Sequence, residues 1–148
     1  MTESSFHYVT YIGAAPEAVW AALTSPEAME TYFFALPFEA DWKVGGHWRR
    51  SYPDGALMTE GEILELDRPN RLVMSWRHGD PEKRREGVSR CVMELEAVGA
   101  ATELAVTHSI ETENSRLIAS ASGAWPQVLS NLKSFMESGE IVLRHYHS

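Results

Sequence analysis

The chain has 148 residues, 44% hydrophobic and 23% charged, the proportions of one ordinary globular domain long enough to bury a core. Its formal net charge of -8 argues against a nucleic-acid partner and against docking on anionic lipid, both of which call for clustered Lys and Arg. Cys91 is the only cysteine, which excludes an intrachain disulfide.

No stretch approaches the length of a membrane span. The N-terminal run Met1-Thr2-Glu3-Ser4-Ser5 lacks the basic and apolar regions of a signal peptide, so a cytoplasmic protein is expected. Phe6–Ile12 is rich in aromatic and β-branched residues and reads as a strand ended by Gly13. Pro16 opens a short helix on which Val19, Trp20 and Leu23 share one side. Ser25-Pro26-Glu27 starts a second, with Ser25 as N-cap and Met29, Tyr32 and Phe33 at helical spacing.

From Leu36 the period changes to that of strands. Gly45-Gly46 separates two short extended runs, and Pro53-Asp54-Gly55 joins His47–Tyr52 to Ala56–Asp67 as a hairpin. After the turn at Asp67-Arg68-Pro69-Asn70, Leu72, Met74 and Trp76 alternate with Val73 and Ser75. The polar stretch Arg77–Gly87 reads as a mobile, solvated loop. Cys91, Met93 and Leu95 alternate on the next strand, and Leu104, Val106 and His108 on the last.

A broad apolar stripe from Leu117 to Met136 reads as a long helix closed by Gly139. Gly123 and Pro126 are expected to weaken or kink it, so that it becomes two helices meeting near Trp125. The tail Ile141–Ser148 shows no clear period. The predicted fold is α+β: a curved antiparallel sheet of six or seven strands wrapped around a long C-terminal helix, with two short helices after the first strand. No linker or repeat interrupts residues 1–148, which read as a single domain.

Four segments appear in this order: Pro16-Glu17-Ala18-Val19-Trp20; Val44-Gly45-Gly46; the Arg71-Leu72 strand ending at Trp76; and Trp125-Pro126-Gln127-Val128-Leu129-Ser130-Asn131-Leu132-Lys133. Together they resemble the START-like, or helix-grip, superfamily. Within it the chain most resembles bacterial proteins grouped with the C-terminal domain of the heat-shock protein 90 ATPase activator. The resemblance spans about Val9 to Gly139. It implies a deep apolar cavity between sheet and long helix, which in the wider superfamily holds lipids, sterols, polyketides, plant hormones or other hydrophobic molecules. A few members are cyclases or hydrolases. The activator itself carries a second, N-terminal domain, for which this sequence is expected to have no counterpart.

On this resemblance the candidate cavity residues are Trp20, Phe33, Trp48, Arg50, Tyr52, Met74, Trp76, Met93, Val106, His108, Trp125, Leu129 and Leu132. Trp48, Arg50 and Tyr52 are expected to share the inward face of their strand. Arg50 is then an anchor for a ligand carboxylate or phosphate, an ion-pair partner of a nearby Glu, or a side chain whose head reaches water at the rim. His108 is either a general base or ligand hook, or a core histidine bonded to a backbone carbonyl. His78 carries the same ambiguity near the cavity mouth. Glu60 and Glu62 flank Gly61 on one strand face and read as a solvated edge or, if their environments differ, as an acid–base pair. Gly61 in mid-strand suggests a bulge or the close approach of another backbone.

Cys91 among apolar residues reads as an inert thiol. His145 and His147 lack partners at metal-ligand spacing, and no nucleophile elbow, P-loop or dinucleotide fingerprint occurs, so neither metal nor cofactor is expected. Three functions stay open. The first is non-enzymatic binding of a small hydrophobic molecule. The second is catalysis of the cyclase or hydrolase kind, with His108 and Arg50 as candidate catalytic residues. The third is an interaction module with a protein partner, either a co-chaperone-like activator of heat-shock protein 90 ATPase or a partner of a stress-response regulator.

Overall fold

A computed structural model describes residues 3–148. Residues 1 and 2, the start of the run read above as carrying no signal peptide, lie outside the described residues. Strand β1 (Ser4–Ile12) is followed by helices α1 (Pro16–Leu23) and α2 (Pro26–Tyr32). Strands β2 (Phe38–Ala40), β3 (His47–Ser51), β4 (Leu57–Asp67) and β5 (Arg71–His78) come next. A one-turn helix, α3 (Pro81–Arg84), separates them from β6 (Ser89–Val98) and β7 (Ala101–Ile110), and α4 (Arg116–Ser138) closes the order. The seven strands form one antiparallel sheet in the order β1-β7-β6-β5-β4-β3-β2. The fold is the expected α+β helix-grip: a curved sheet against one long helix, with two short helices after β1.

Local chemistry sets the element ends. Pro16 and Pro26 occupy first-turn positions, where a missing N–H is no loss. Ser25 Oγ accepts from Ala28 N at 3.2 Å, the expected cap. Gly139 stands in the left-handed conformation (φ 82°) and its N–H reaches Phe135 O. Gly61 is needed for close approach: a Cβ there would stand 1.9 Å from Ser75 O and 2.8 Å from Trp48 Nε1. The indole N–H of Trp48 donates to that same Ser75 carbonyl across the glycine, at 2.9 Å.

Two expectations are corrected. First, α4 is a single helix through Gly123 and Pro126. Pro126 withholds one N–H, but Gln127 Nε2 donates to Gly123 O at 3.2 Å and tightens the same turn. A Cβ on Gly123 would meet Tyr146 Oη at 2.9 Å, so the glycine leaves room for the tail. Second, Arg77–Gly87 is not a free loop. Asp80 caps α3, Arg84 binds Glu60 at 3.1 Å, and Glu86 accepts from Arg116 N and Leu117 N at the start of α4.

The tail, for which the sequence showed no clear period, is strapped along α4. Asn131, fully buried, accepts from Val142 N (2.9 Å) and Leu143 N (2.7 Å). It donates to Leu143 O (2.7 Å) and to Tyr32 O in α2 (3.1 Å). His147 N donates to Gln127 Oε1, and Tyr146 packs edge-on to Phe34. No helix among the described residues is long and apolar enough to cross a membrane.

Two substitutions check this account. Gly61→Ala forces the β4–β5 backbone apart and is expected to lower stability by about 2–4 kcal/mol in chemical denaturation. Asn131→Ala leaves buried backbone groups without partners. It is expected to cost about 2–3 kcal/mol and to speed amide exchange at Val142 and Leu143 well beyond that of β6.

Candidate functional site

The core between sheet and α4 is dominated by aromatic rings. Trp48 and Trp76 lie with centroids 4.7 Å apart, Trp76 and Trp125 5.8 Å, and Trp48 stacks on Phe38 at 5.8 Å. Phe33, just past α2, meets Trp125 edge-on at 6.4 Å. Within this packing a cavity of about 30 Å³ opens between α2, the middle of α4 and the inner face of β3, β5 and β6. That is room for a water molecule, far short of the ~300–1,000 Å³ of a drug-sized pocket.

Phe33, Arg50, Met74, Trp76, Met93, Trp125 and Leu129 line the cavity. Trp20, Trp48, Val106, His108 and Leu132 are buried in the core around it and do not line it. Tyr52 is misplaced by the alternation argument. The inward alternation of β3 holds through Arg50 but the strand ends at Ser51, where the pairing skips Met58 of β4, and Tyr52 is 39% exposed in the turn, its N–H bonded to Ala56 O. Tyr32, on the helical face of α2 read from the sequence, also lines the cavity, as do Leu23, Met29, Phe38 and Val128, which were not among the cavity candidates. The three-residue spacing of Met29 and Tyr32 on α2 was the available signal for Met29.

Arg50 is 4% exposed, and neither reading that paired it with a Glu or put its head in water holds. Among the described residues no carboxylate reaches it. Its NH2 group has only Met29 Sδ, at 3.8 Å, and its Nε has no hydrogen-bond partner. The guanidinium carbon lies 3.6 Å from the Phe33 ring centroid, 4.9 Å from Phe38, 5.9 Å from Trp76 and 6.0 Å from Trp48. Burial pulls its pKa down to about 10, a shift partly offset by the nearby Tyr32 and Cys91, so the group stays cationic at neutral pH. Burial pushes the Cys91 thiol up to about 12, in keeping with an inert side chain.

His108 is fully buried and both its ring nitrogens are engaged. Ser89 Oγ donates to Trp76 O (3.0 Å), so at 2.7 Å His108 Nε2 donates to Ser89 Oγ. Nδ1 then accepts from Trp125 Nε1 at 3.3 Å. The network assigns the neutral Nε2–H tautomer, and desolvation lowers the pKa to about 4. The expected bond to a backbone carbonyl runs instead through Ser89, a partner missed in the sequence. His78 is buried beside Trp76, and its Nδ1 accepts from Asp80 N. Glu60 faces outward and is held by His47 (3.0 Å) and Arg84 (3.1 Å), while Glu62 is exposed.

A curved sheet gripping one long helix, with a gap in the core beneath the short helix α2, defines a START-like protein. The model of one family, Activator of Hsp90 ATPase homolog 1-like protein, matches residues 13–137, and the chain belongs to that family. Among curated proteins nothing matches. Protein MLL2253 from Mesorhizobium loti superposes with a TM-score of 0.80 at 22% identity, covering 93% of this chain and 100% of that one. The Aha1 dimer from Colwellia psychrerythraea gives 0.74 at 20%, covering 92% and 98%. PFC0360w, an HSP90 activator from Plasmodium falciparum, gives 0.72 at 22%, covering 88% and 94%. At these identities the likeness is one of fold.

The buried histidine makes a pH prediction. Its folded pKa lies below that of an unfolded histidine, so between about pH 6.5 and 4 the unfolded chain binds a proton that the folded one refuses. Stability contributed by neutral His108 is therefore present above this window and lost as pH falls through it. The slope of unfolding free energy against pH in that window should flatten by up to about one proton in His108→Gln. An unchanged slope would mean that His108 is not the group responsible.

Proposed function

We propose that the protein binds a small hydrophobic molecule, without catalysis, in the space between α2, α4 and the sheet. The supporting observation is the gap in the core itself. It lies where the resemblance placed a ligand, and its walls include three adaptable methionines, Met29, Met74 and Met93. At about 30 Å³ the cavity is the closed form of the site, and a ligand enters as α2 and residues 33–37 swing outward. That segment is suited to move. α2 is seven residues long, and Phe34 and Ala35 follow it with φ of 57° and 59°, a conformation that costs a non-glycine residue about 1–3 kcal/mol.

A ligand that binds only the folded state raises stability by mass action, about 2.7 kcal/mol at a hundredfold excess over Kd. A thermal-shift screen of hydrophobic small molecules should therefore yield hits. The same hits should change the tryptophan emission, because Trp76 and Trp125 wall the cavity, and should slow amide exchange in α2. A screen with no such hit counts against the reading.

A second reading is favoured by family membership and by the HSP90 activator among the structural neighbours. In it the domain meets a chaperone and stimulates its ATPase, in a stress-response setting. Its check is the ATPase rate of the host's own heat-shock protein 90 with and without this protein. Acceleration that survives Arg50→Met would place that function on the surface, apart from the cavity.

A further inference from the structure

Among the described residues three buried side-chain polar atoms have no hydrogen-bond partner: Trp42 Nε1, Arg50 Nε and Thr59 Oγ1. Two of the three stand side by side. Arg50 on β3 pairs directly with Thr59 on β4, and Thr59 pairs in turn with His78 on β5. Residues directly opposite in antiparallel strands share a face, with Cβ atoms about 4.5–5.5 Å apart. All three side chains are buried, Thr59 at 3% exposure. Because His78 Nδ1 accepts from Asp80 N, its proton sits on Nε2, which has no partner among the described residues. A cation, a hydroxyl and an imidazole N–H thus form one row across three strands, with no anion in it.

Within that row Arg50 Nε and Thr59 Oγ1 are buried unpaired donors, which are rare and costly in a core. One oxyanion would satisfy Arg50 Nε and Thr59 Oγ1 together, since a carboxylate accepts from several donors at once. Of the row only Arg50 lines the cavity; Thr59 and His78 stand next to it along the sheet, outside the wall, and come within reach of a head group only as the site opens. The remaining wall is apolar or aromatic and would take a hydrocarbon body. We infer that the ligand is a small hydrophobic acid, its carboxylate held by Arg50 and Thr59 with His78 beside them, and its apolar body lying against Phe33, Trp76 and Trp125. This rests on the ligand-binding reading above and adds the head group. It also assigns a binding role to Thr59, which no sequence pattern marked.

The test compares acids with alcohols of the same skeleton on the intact chain: cinnamate against cinnamyl alcohol, and decanoate against decanol, by tryptophan fluorescence and thermal shift. The acids should bind about tenfold or more tightly than the alcohols. Arg50→Met should erase that preference while leaving the alcohols bound. Thr59→Val, which keeps the shape, should weaken the acids alone. The Tm of ligand-free Arg50→Met should equal or exceed that of the wild type, because an unpaired buried charge has been removed.

Equal affinity for acid and alcohol would overturn the carboxylate assignment and leave the pocket reading standing. Acid preference that survives Arg50→Met would overturn the role of the arginine. No binding of either kind would overturn both the assignment and the pocket reading. The acid–alcohol comparison needs only the wild-type protein, so it decides even if a variant fails to fold.

Discussion

The interior of this domain is organised around one buried positive charge. Moving a guanidinium out of water costs several kcal/mol even after relaxation, and a core normally supplies a carboxylate in return. Here Arg50 meets the rings of Phe33, Phe38, Trp48 and Trp76 instead. Desolvated cation–π contacts contribute about 2 kcal/mol each at best, and four imperfect ones overlap. They make the charge tolerable without neutralising it. The same rings fill the space between sheet and α4, so the residues that shelter Arg50 also close the cavity around it. Opening α2 would expose the charge to whatever enters.

The architecture around that centre restrains most of the molecule and leaves one part loosely held. Glu86 and Ser115 fix the start of α4, Gly139 ends it, and Asn131 ties the C-terminal strap to the helix and to the carbonyl of Tyr32. Trp48 and Gly61 lock β3, β4 and β5 together behind the cavity. The His108–Ser89–Trp125 network fixes the position of the indole that forms the opposite wall. Among the described residues α2 and the left-handed residues after it are held by few side-chain bonds. Tyr32 Oη on Ala22 O and Asn131 on Tyr32 O are their main polar ties to the body. In this account His108 works as a strut, because a neutral imidazole with both nitrogens engaged has no proton to give and no lone pair to spare.

Much of the fold was legible because it is written in short-range chemistry. Pro16, Ser25-Pro26 and Gly139 mark helix ends wherever they occur, and alternation over Leu72–Trp76 and Leu104–His108 marks strands. What escaped depends on partners distant in the chain. The continuity of α4 across Pro126 is supported by Gln127 and by room for Tyr146, and neither shows in a helical-period count. The loss of Tyr52 from the inner face follows from the end of β3 at Ser51, beside a skipped residue, Met58, on the partner strand, which the sequence of β3 itself does not mark. The alignment of Arg50 with Thr59 and His78 needs the register of three strands, which hydrophobic pattern alone does not set. The size of the cavity depends on how four tryptophans and Phe33 pack, which composition cannot decide.

The central claim is that the space beneath α2 is a ligand site and not merely imperfect packing. Native against denaturing mass spectrometry of the protein purified from its own host addresses it directly. The account predicts a reproducible extra mass that leaves on denaturation and behaves as a small hydrophobic acid. A native mass equal to that of the bare chain, under growth conditions where the protein is abundant, would contradict it.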